Sequence, residues 1–263
     1  MTRRMIFHHP LPLFPDAASA SGIRPVQMKR AFEELGYEVW QVTGYTGERG
    51  RLAAEVRYAV RCGVRFDFCY SESSTMPMTM TNPTHLPTRP FLDLRFFRSL
   101  RRNGIPVGQF LRDIYWVFPD YRESLPFLKL RAALAAYEWD MRTLRHHVDR
   151  VFLPSLKVGE YINLGDVPIS ALEPGHGHAE PLPGPGEGVS LFYVGGIGSD
   201  YKLHELFAAV KQAWEEKNLD VRLIVCLRPE DWDAVKHEYE QWACPAIEVV
   251  HGHGNVLQEY FER

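Results

Sequence analysis

The residues with the clearest chemical potential form a glycine-rich turn in the last third of the chain. Within LFYVGGIGSDYKLHELF (191–207), an apolar run is followed by Gly195, Gly196 and Gly198, then by Lys202 and a helical pattern. A strand that feeds a helix through such a turn leaves the first N–H groups of the helix free to attract an anion. Glycine allows a close approach of the ligand to the backbone. The turn therefore predicts a phosphate site, while a tight strand–helix turn without a ligand fits the same residues.

A second group of polar residues follows an apolar segment in the first half. Arg112 and Asp113 come directly after IPVGQFL (105–111), at the predicted carboxyl end of a strand. Ligands of open parallel sheets bind outside this end of the strands. We predict that both side chains line a cleft and take part in catalysis; the alternative is a solvated ion pair at a strand end.

Eleven histidines raise the question of a metal site. Pairs occur at 8/9, 146/147, 176/178 and 251/253, but none has cysteine or carboxylate neighbours at a spacing typical of metal ligands. We therefore predict no metal. His251 follows the third predicted strand of the second half, where it could face the same ligand as the glycine turn or simply begin a loop.

Composition limits the class of protein. The chain has 263 residues and a formal net charge of -3, enough length for one large or two smaller domains and no general attraction for nucleic acid. Its four cysteines include no C-x-x-C pair, which is typical of reduced thiols in a cytoplasmic protein. No apolar run reaches the length of a membrane span.

Strand and helix signals alternate along residues 1–173 and predict a parallel sheet covered by helices. The first helix is predicted over SGIRPVQMKRAFEELG (21–36), with Ser21 as its cap and Pro25 in its first turn. A long helix is predicted over 127–148 from apolar residues three and four apart.

Proline and glycine dominate residues 174–188, which we interpret as a linker. Beyond it, residues 189–263 carry three strand patterns alternating with helices, the last helix falling on VLQEYFER (256–263). The fold class expected is α/β, with two Rossmann-like domains of which the second is incomplete.

The order of these motifs resembles that of the retaining glycosyltransferases of family 4, which have the GT-B fold. SGIRPVQMKRAFEELGYEVWQVTG (21–44) is similar to the opening of the family's N-terminal domain, and FYVGGIGSDYKLHELFAAVKQAW (192–214) is similar to the start of its C-terminal domain. The resemblance covers nearly the whole chain. It implies an acceptor-side domain over 1–173 and a donor-binding domain over 189–263.

The resemblance implies transfer of a hexose from a nucleotide diphosphate sugar to a saccharide or lipid-linked acceptor, as in cell-surface polysaccharide synthesis. It also implies retention at the anomeric carbon and no cofactor or metal. Lys202 matches the family lysine that contacts the diphosphate, and Ser21 and Gly22 would lie on the acceptor side. Gly196 stands where the family usually has arginine, so Arg228 is the candidate replacement.

A second departure keeps another class of function open. The family's two glutamates eight positions apart have no counterpart before Arg263, so the chain is either a fragment or naturally short, and a catalytically incomplete binding module is the alternative to an enzyme. A nicotinamide-dependent enzyme is disfavoured because HHPLPLFPD (8–16) lacks the G-x-G-x-x-G pattern. The segment FLDLRFFRSLRR (91–102) mixes arginines with aromatic residues, so it could contact the inner face of a membrane, although a core helix is favoured.

Overall fold

The chain folds into two compact units, Met1–His176 and Gly177–Arg263. The computed structural model describes residues 2–17, 19–175, 188–197, 201 and 203–251. The division between the units falls within the linker predicted at 174–188. Among the predictions, Gly198, Lys202, His176 and His178 and the helix at 256–263 lie outside the described residues.

The first unit is built on a six-stranded sheet in which every described pair of strands is parallel. Its strands, in the spatial order β2-β1-β3-β4-β5-β6, are β1 (Arg4–His9), β2 (Glu38–Thr43), β3 (Phe68–Glu72), β4 (Val107–Phe110), β5 (Arg150–Leu153) and β6 (Ile169–Ala171). Its helices are α1 (Ala20–Glu34), α2 (Thr46–Arg61), α3 (Leu92–Arg102), α4 (Pro119–Glu123) and α5 (Phe127–His147).

Both faces of this sheet are buried because the strands place alternate side chains in two separate hydrophobic cores. Met5 and Phe7 of β1 pack on one face with Tyr70, whereas Ile6 packs on the other face with Phe97. This arrangement explains why the strands are nearly continuous apolar runs, as expected for a parallel sheet covered by helices.

Helix α3 belongs to the core. Phe96, Phe97 and Leu100 are at most 1 % exposed, so the apolar half of the segment 91–102 packs inside the unit. The arginines of this segment and Phe91 remain exposed, but its other aromatic residues are buried. The segment therefore has no apolar face with which to contact a membrane. No helix within the described ranges combines the length and the apolar character that crossing a bilayer requires.

Element boundaries differ from the sequence predictions at three places. Ser19, not Ser21, caps α1, so the helix begins at Ala20 and Pro25 lies inside it. The apolar pattern of RLAAEVRYAVRCG (51–63) predicts a helix from residue 51, whereas helix α2 begins at Thr46. Strand β6 was not predicted, because its three residues are too few to show a periodic pattern.

The second unit contains a parallel three-stranded sheet in the order β7-β8-β9. Its described elements are β7 (Val189–Val194), α6 (Leu203–Glu215), β8 (Val221–Leu227), α7 (Pro229–Tyr239) and β9 (Ile247–His251). Phe207, Tyr239 and Leu223 form the centre of its core. The predicted α/β class with parallel sheets and a smaller second unit is confirmed.

Candidate functional site

The strand order of the first unit reverses between β1 and β3. The chain passes from β1 to β2 on one side and then returns to β3 on the other, so the two connections leave the sheet in opposite directions. The carboxyl ends of β1 and β3 lie side by side, with His8 opposite Ser71. On the other side of β3, Glu72 lies opposite Phe110 of β4. A crevice at such a reversal is where open α/β sheets bind ligands.

A buried carboxylate organises this edge of the sheet. Glu72 is fully buried, and its Oε1 lies 3.1 Å from Nε of Arg24 and 3.3 Å from Nη2 of Arg112. The Tyr70 hydroxyl donates to Oε2 of Glu72 at 3.2 Å. The Arg24 guanidinium also stacks on Phe110, 3.8 Å from the ring centroid. We call Glu72, Arg24 and Arg112 the Glu72 cluster.

The Glu72 cluster carries more positive than negative charge. Burial raises the pKa of the Glu72 carboxyl, and the Arg24 and Arg112 guanidiniums oppose that rise. The cluster therefore holds two cations against at most one negative charge. Nη2 of Arg24 and Nε of Arg112 are buried and find no hydrogen-bond partner among the described residues.

His9 lies beside this cluster as a neutral imidazole. Its Nδ1 is 2.8 Å from the carbonyl oxygen of Glu72. Because a carbonyl only accepts, Nδ1 carries the proton and Nε2 is left as the acceptor of the ring. Burial is the main reason that the pKa of His9 falls to about 4, and nearby positive charge adds to it. The sequence pointed to His8 and His9 only as a possible metal pair.

His8 faces the opposite side of the sheet and belongs to a complete network. Its Nδ1 lies 2.7 Å from Oγ of Ser71, and its Nε2 lies 3.0 Å from Oδ1 of Asp93. Arg49 binds Asp93 through two hydrogen bonds of 2.8 and 3.0 Å. Although burial opposes the shift, Arg49 and His8 hold the pKa of Asp93 well below its usual range.

This His8–Ser71–Asp93–Arg49 network contains the residue types of a hydrolase triad, but Ser71 is fully buried. Nη1 of Arg49 donates to the carbonyls of Pro10 and Gly44, and Nη2 also donates to the carbonyl of Met78. Solvent does not reach the Ser71 hydroxyl. The network therefore holds β1, α2 and α3 together and is not a catalytic site.

Helix α5 fixes the segment that leaves β3. The Met78 amide donates to Oδ2 of Asp140 at 2.7 Å, and the Tyr137 hydroxyl donates to the Thr75 carbonyl at 2.8 Å. Burial raises the pKa of Asp140 to about 8. Its Oδ1 and Oε1 of Gln109 are buried without hydrogen-bond partners among the described residues, and both residues line a cavity of about 20 Å³.

The two predicted catalytic residues behave differently. Arg112 joins the Glu72 cluster, and its amide donates to Oγ of Ser73 at 3.0 Å. Asp113 is partly buried and makes no ion pair within 4 Å with a described cation. Burial raises the pKa of Asp113, while Thr75 and Arg112 oppose that rise.

Ser21 and Gly22 take part in the start of α1. Oγ of Ser21 lies 3.0 Å from Oγ of Ser19, and the Gly22 amide donates to the carbonyl of Ser19 at 2.9 Å. A Cβ on Gly22 would lie 2.6 Å from Cβ of Ala17. Glycine is therefore required here by the close approach of the preceding loop, and the amide of Gly22 is used within the helix cap.

In the second unit, two tyrosines pack against the glycine turn. The Tyr193 hydroxyl donates to the Gly196 carbonyl at 2.6 Å, and the Gly195 amide donates to the Cys226 carbonyl at 3.4 Å. A Cβ on Gly195 would lie 2.7 Å from the Tyr193 hydroxyl oxygen, and one on Gly196 would lie 2.8 Å from the Tyr201 ring. Contacts with the two tyrosine side chains therefore favour glycine at both positions, so the presence of these glycines does not by itself prove an anion site.

Arg228 and His251 lie at the same edge of the second sheet. Arg228 follows β8 and its Nε donates to Oδ2 of Asp231 at 2.9 Å, with the side chain largely exposed. His251 ends β9, and its Nδ1 donates to the carbonyl of Leu227 at 3.1 Å. The described residues contain no group of three histidine, cysteine or carboxylate side chains that could hold a metal ion.

Comparisons with known proteins bear on the fold. No protein-family model and no curated protein sequence matches the chain. Among solved structures, it is similar to UGT2 of Phytolacca americana in complex with UDP-2-fluoro-glucose and pterostilbene, with 9 % identity and a TM-score of 0.50 over 95 % of this chain and 72 % of that one. It is also similar to an alpha-glucosyltransferase in complex with UDP and a 13-mer DNA, with 11 % identity and a TM-score of 0.52 over 99 % and 70 % of the two chains. At these identities the likeness establishes a GT-B-like fold and nothing finer.

Proposed function

We propose that this chain is a glycosyltransferase that moves a hexose from a nucleotide diphosphate sugar to a saccharide or lipid-linked acceptor in the cytoplasm. The observation that carries the proposal is the GT-B-like fold, which extends over nearly the whole chain in both comparisons. Those two proteins were solved with UDP-2-fluoro-glucose and with UDP, which are a donor analogue and the diphosphate product of such a reaction.

The donor is proposed to bind at the carboxyl edge of the second sheet. Breaking the bond between sugar and diphosphate leaves negative charge on the diphosphate, which nearby cations and N–H donors stabilise. The proposed groups are those predicted from the sequence: Gly195, Gly196, Gly198, Lys202, Arg228 and His251. Since Nδ1 of His251 donates to a backbone carbonyl, Nε2 is the ring nitrogen that would contact the donor.

The acceptor is proposed to bind at the carboxyl edge of the first sheet. Arg112 is the best supported of the predicted residues because it joins a buried ionic cluster at the reversal of strand order. Asp113, Ser21 and Gly22 remain proposed neighbours of the acceptor. Retention at the anomeric carbon, which the family resemblance implies, needs no base from the protein in this proposal.

His9 favours a second stereochemical outcome. A neutral imidazole can take the proton of the acceptor hydroxyl at Nε2 while the hydroxyl oxygen bonds to the anomeric carbon. The bond to the diphosphate breaks with its electron pair, and this single displacement inverts the anomeric centre. His9 is only 3 % exposed, so this role requires a local rearrangement that admits the hydroxyl. The anomeric configuration of the product, read by NMR, distinguishes inversion from retention.

Donor binding is the direct test of the proposed function. Calorimetric titration of the full chain with UDP, GDP and their hexose conjugates should show binding at micromolar concentration, and Lys202→Ala should weaken it. Lys217→Ala is the matched control, because Lys217 is an exposed lysine of the same unit, two residues beyond the end of α6. Absence of binding to every nucleotide at millimolar concentration would instead support the catalytically incomplete module.

A further inference from the structure

We propose that Arg24 and Arg112, held in place by Glu72, bind an anionic group on the acceptor, either a phosphate or a carboxylate. This inference rests on the proposed function and narrows it to acidic acceptors. Arg24 was not predicted from the sequence as a site residue. It reaches the site because α1 places it one turn after Ser19, above the carboxyl end of β3.

The first argument is the excess of positive charge. Glu72 is the only carboxylate among the described residues within ion-pair distance of either guanidinium. The cluster therefore carries one surplus positive charge when Glu72 is ionised and two when it is protonated. Asp113 is the other carboxyl group near Arg112, but it forms no ion pair with either arginine within 4 Å. A largely buried surplus cation is costly unless a negative partner is supplied.

The second argument is unused hydrogen-bonding capacity. Nη2 of Arg24 and Nε of Arg112 are buried and have no hydrogen-bond partner among the described residues. Stacking on Phe110 fixes the plane of the Arg24 guanidinium but satisfies none of its N–H groups. Two guanidiniums oriented by one carboxylate match the geometry of a phosphate or carboxylate, which accept several hydrogen bonds at once.

The third argument is location. The cluster lies where β1, β3 and β4 end beside the reversal of strand order, while each side chain keeps a small exposed fraction, 18 % for Arg24 and 13 % for Arg112. By contrast, Arg98, Arg101 and Arg102 line an open cavity of about 550 Å³ beside the amino end of β4. Arg101 and Arg102 lie in the last turn of α3, where cations are favourable without any ligand.

The test uses the full chain and matched sugars. Ligand-observed NMR titrations compare glucose with glucose 6-phosphate and with glucuronate. We expect at least one of the two acidic sugars to bind at least about tenfold more tightly than glucose, the ratio expected from one or two charge-assisted hydrogen bonds. A preference for glucose 6-phosphate identifies a phosphate as the group, and a preference for glucuronate identifies a carboxylate.

Variants assign the preference to the cluster. Arg24→Gln and Arg112→Gln should each remove most of the preference for acidic sugars. Arg24→Lys should keep part of this preference. Arg98→Gln, at the opposite edge of the sheet, should leave it unchanged. Arg24→Lys preserves the charge, so it guards against a result caused only by misfolding. Equal binding of neutral and acidic sugars to the wild-type chain, or a preference that survives both glutamine variants, overturns the proposal.

Competition with UDP distinguishes an acceptor site from a donor site at the two arginines. If the arginines serve the acceptor, glucose 6-phosphate should still bind when UDP is saturating. Displacement by UDP would assign the arginines to the donor diphosphate and overturn the inference. An anion preference in a chain that binds no nucleotide would instead reject the proposed transferase while leaving the anion site in place.

Discussion

Two buried ionic clusters lie on opposite faces of the same sheet, and they differ in how fully they are satisfied. The His8–Ser71–Asp93–Arg49 network pairs one carboxylate with one guanidinium, whose remaining donors reach backbone carbonyls. The Glu72 cluster pairs one carboxylate with two guanidiniums and leaves buried N–H groups without partners. A buried cluster that satisfies itself stabilises the fold, whereas one that does not has capacity left for a ligand.

The largest effect is expected in the complete network. Arg49→Met leaves the buried Asp93 carboxylate without its main partner, and breaking such a pair costs about 3–5 kcal/mol. Urea denaturation should show this loss in the free energy of unfolding. Arg51→Met is the control, because the exposed ion pair of Arg51 with Glu55 contributes about 1 kcal/mol at most. Similar small losses in both variants would contradict the structural role of the network.

Asp140 is a further buried carboxyl group, and only one of its two oxygens has a hydrogen-bond partner among the described residues. Since its pKa is raised to about 8, the folded state holds a proton that the unfolded state releases near pH 4. The stability linked to this group is thus full below about pH 4 and is lost as pH rises toward 8.

We therefore expect Asp140→Asn to be more stable than the wild-type chain by about 4–5 kcal/mol at pH 8, because each unit of the shift in pKa is worth about 1.4 kcal/mol, with the difference shrinking at pH 4. Unfolding free energies at several pH values, taken as differences between the two proteins, remove the contribution of His9. A difference that does not change with pH would show that Asp140 is ionised in the folded protein.

The glycine turn of the second unit offers the same contrast between packing and ligand binding. Gly195→Ala places a Cβ against the Tyr193 hydroxyl and should cost about 1–2 kcal/mol in unfolding free energy. If packing alone requires glycine, Tyr193→Phe should recover part of that loss in a double-mutant cycle. UDP binding in the Gly195→Ala, Tyr193→Phe double variant then reports on the ligand role. Full stability combined with loss of UDP binding would assign the glycine to the donor.

The smallest effect on stability is expected in the Glu72 cluster. Arg112→Gln removes one of two cations from a carboxylate that keeps Arg24 and Tyr70, so the unfolding free energy should change by less than about 1 kcal/mol. Thermal or urea unfolding measures this directly. A loss as large as that of Arg49→Met would mean that the two clusters do not differ in the way proposed.

Much of the fold was predictable because it depends on local patterns. The short apolar run RMIFHH (4–9) predicts a strand and coincides with β1, and the helix predicted over 127–148 is α5 within one residue. The first helix was harder, since Ser19 and Ser21 are both acceptable caps and only the contact of the Gly22 amide with Ser19 decides between them. At the site, Arg112 was anticipated from its place after a strand, whereas Arg24 and Glu72 were not.

The sequence by itself determined the alternation of strands and helices, the division near the Pro/Gly-rich segment and the position of the glycine turn, because each follows from neighbours along the chain. Only the tertiary structure decided that Arg24, Glu72 and Arg112 meet, since 48 and 40 residues separate them in sequence and parallel strands bring distant segments together at one edge. It also decided which of His8 and His9 faces the Glu72 cluster. Period-two alternation places the two rings on opposite faces, but packing of the helices chooses which face holds the cluster.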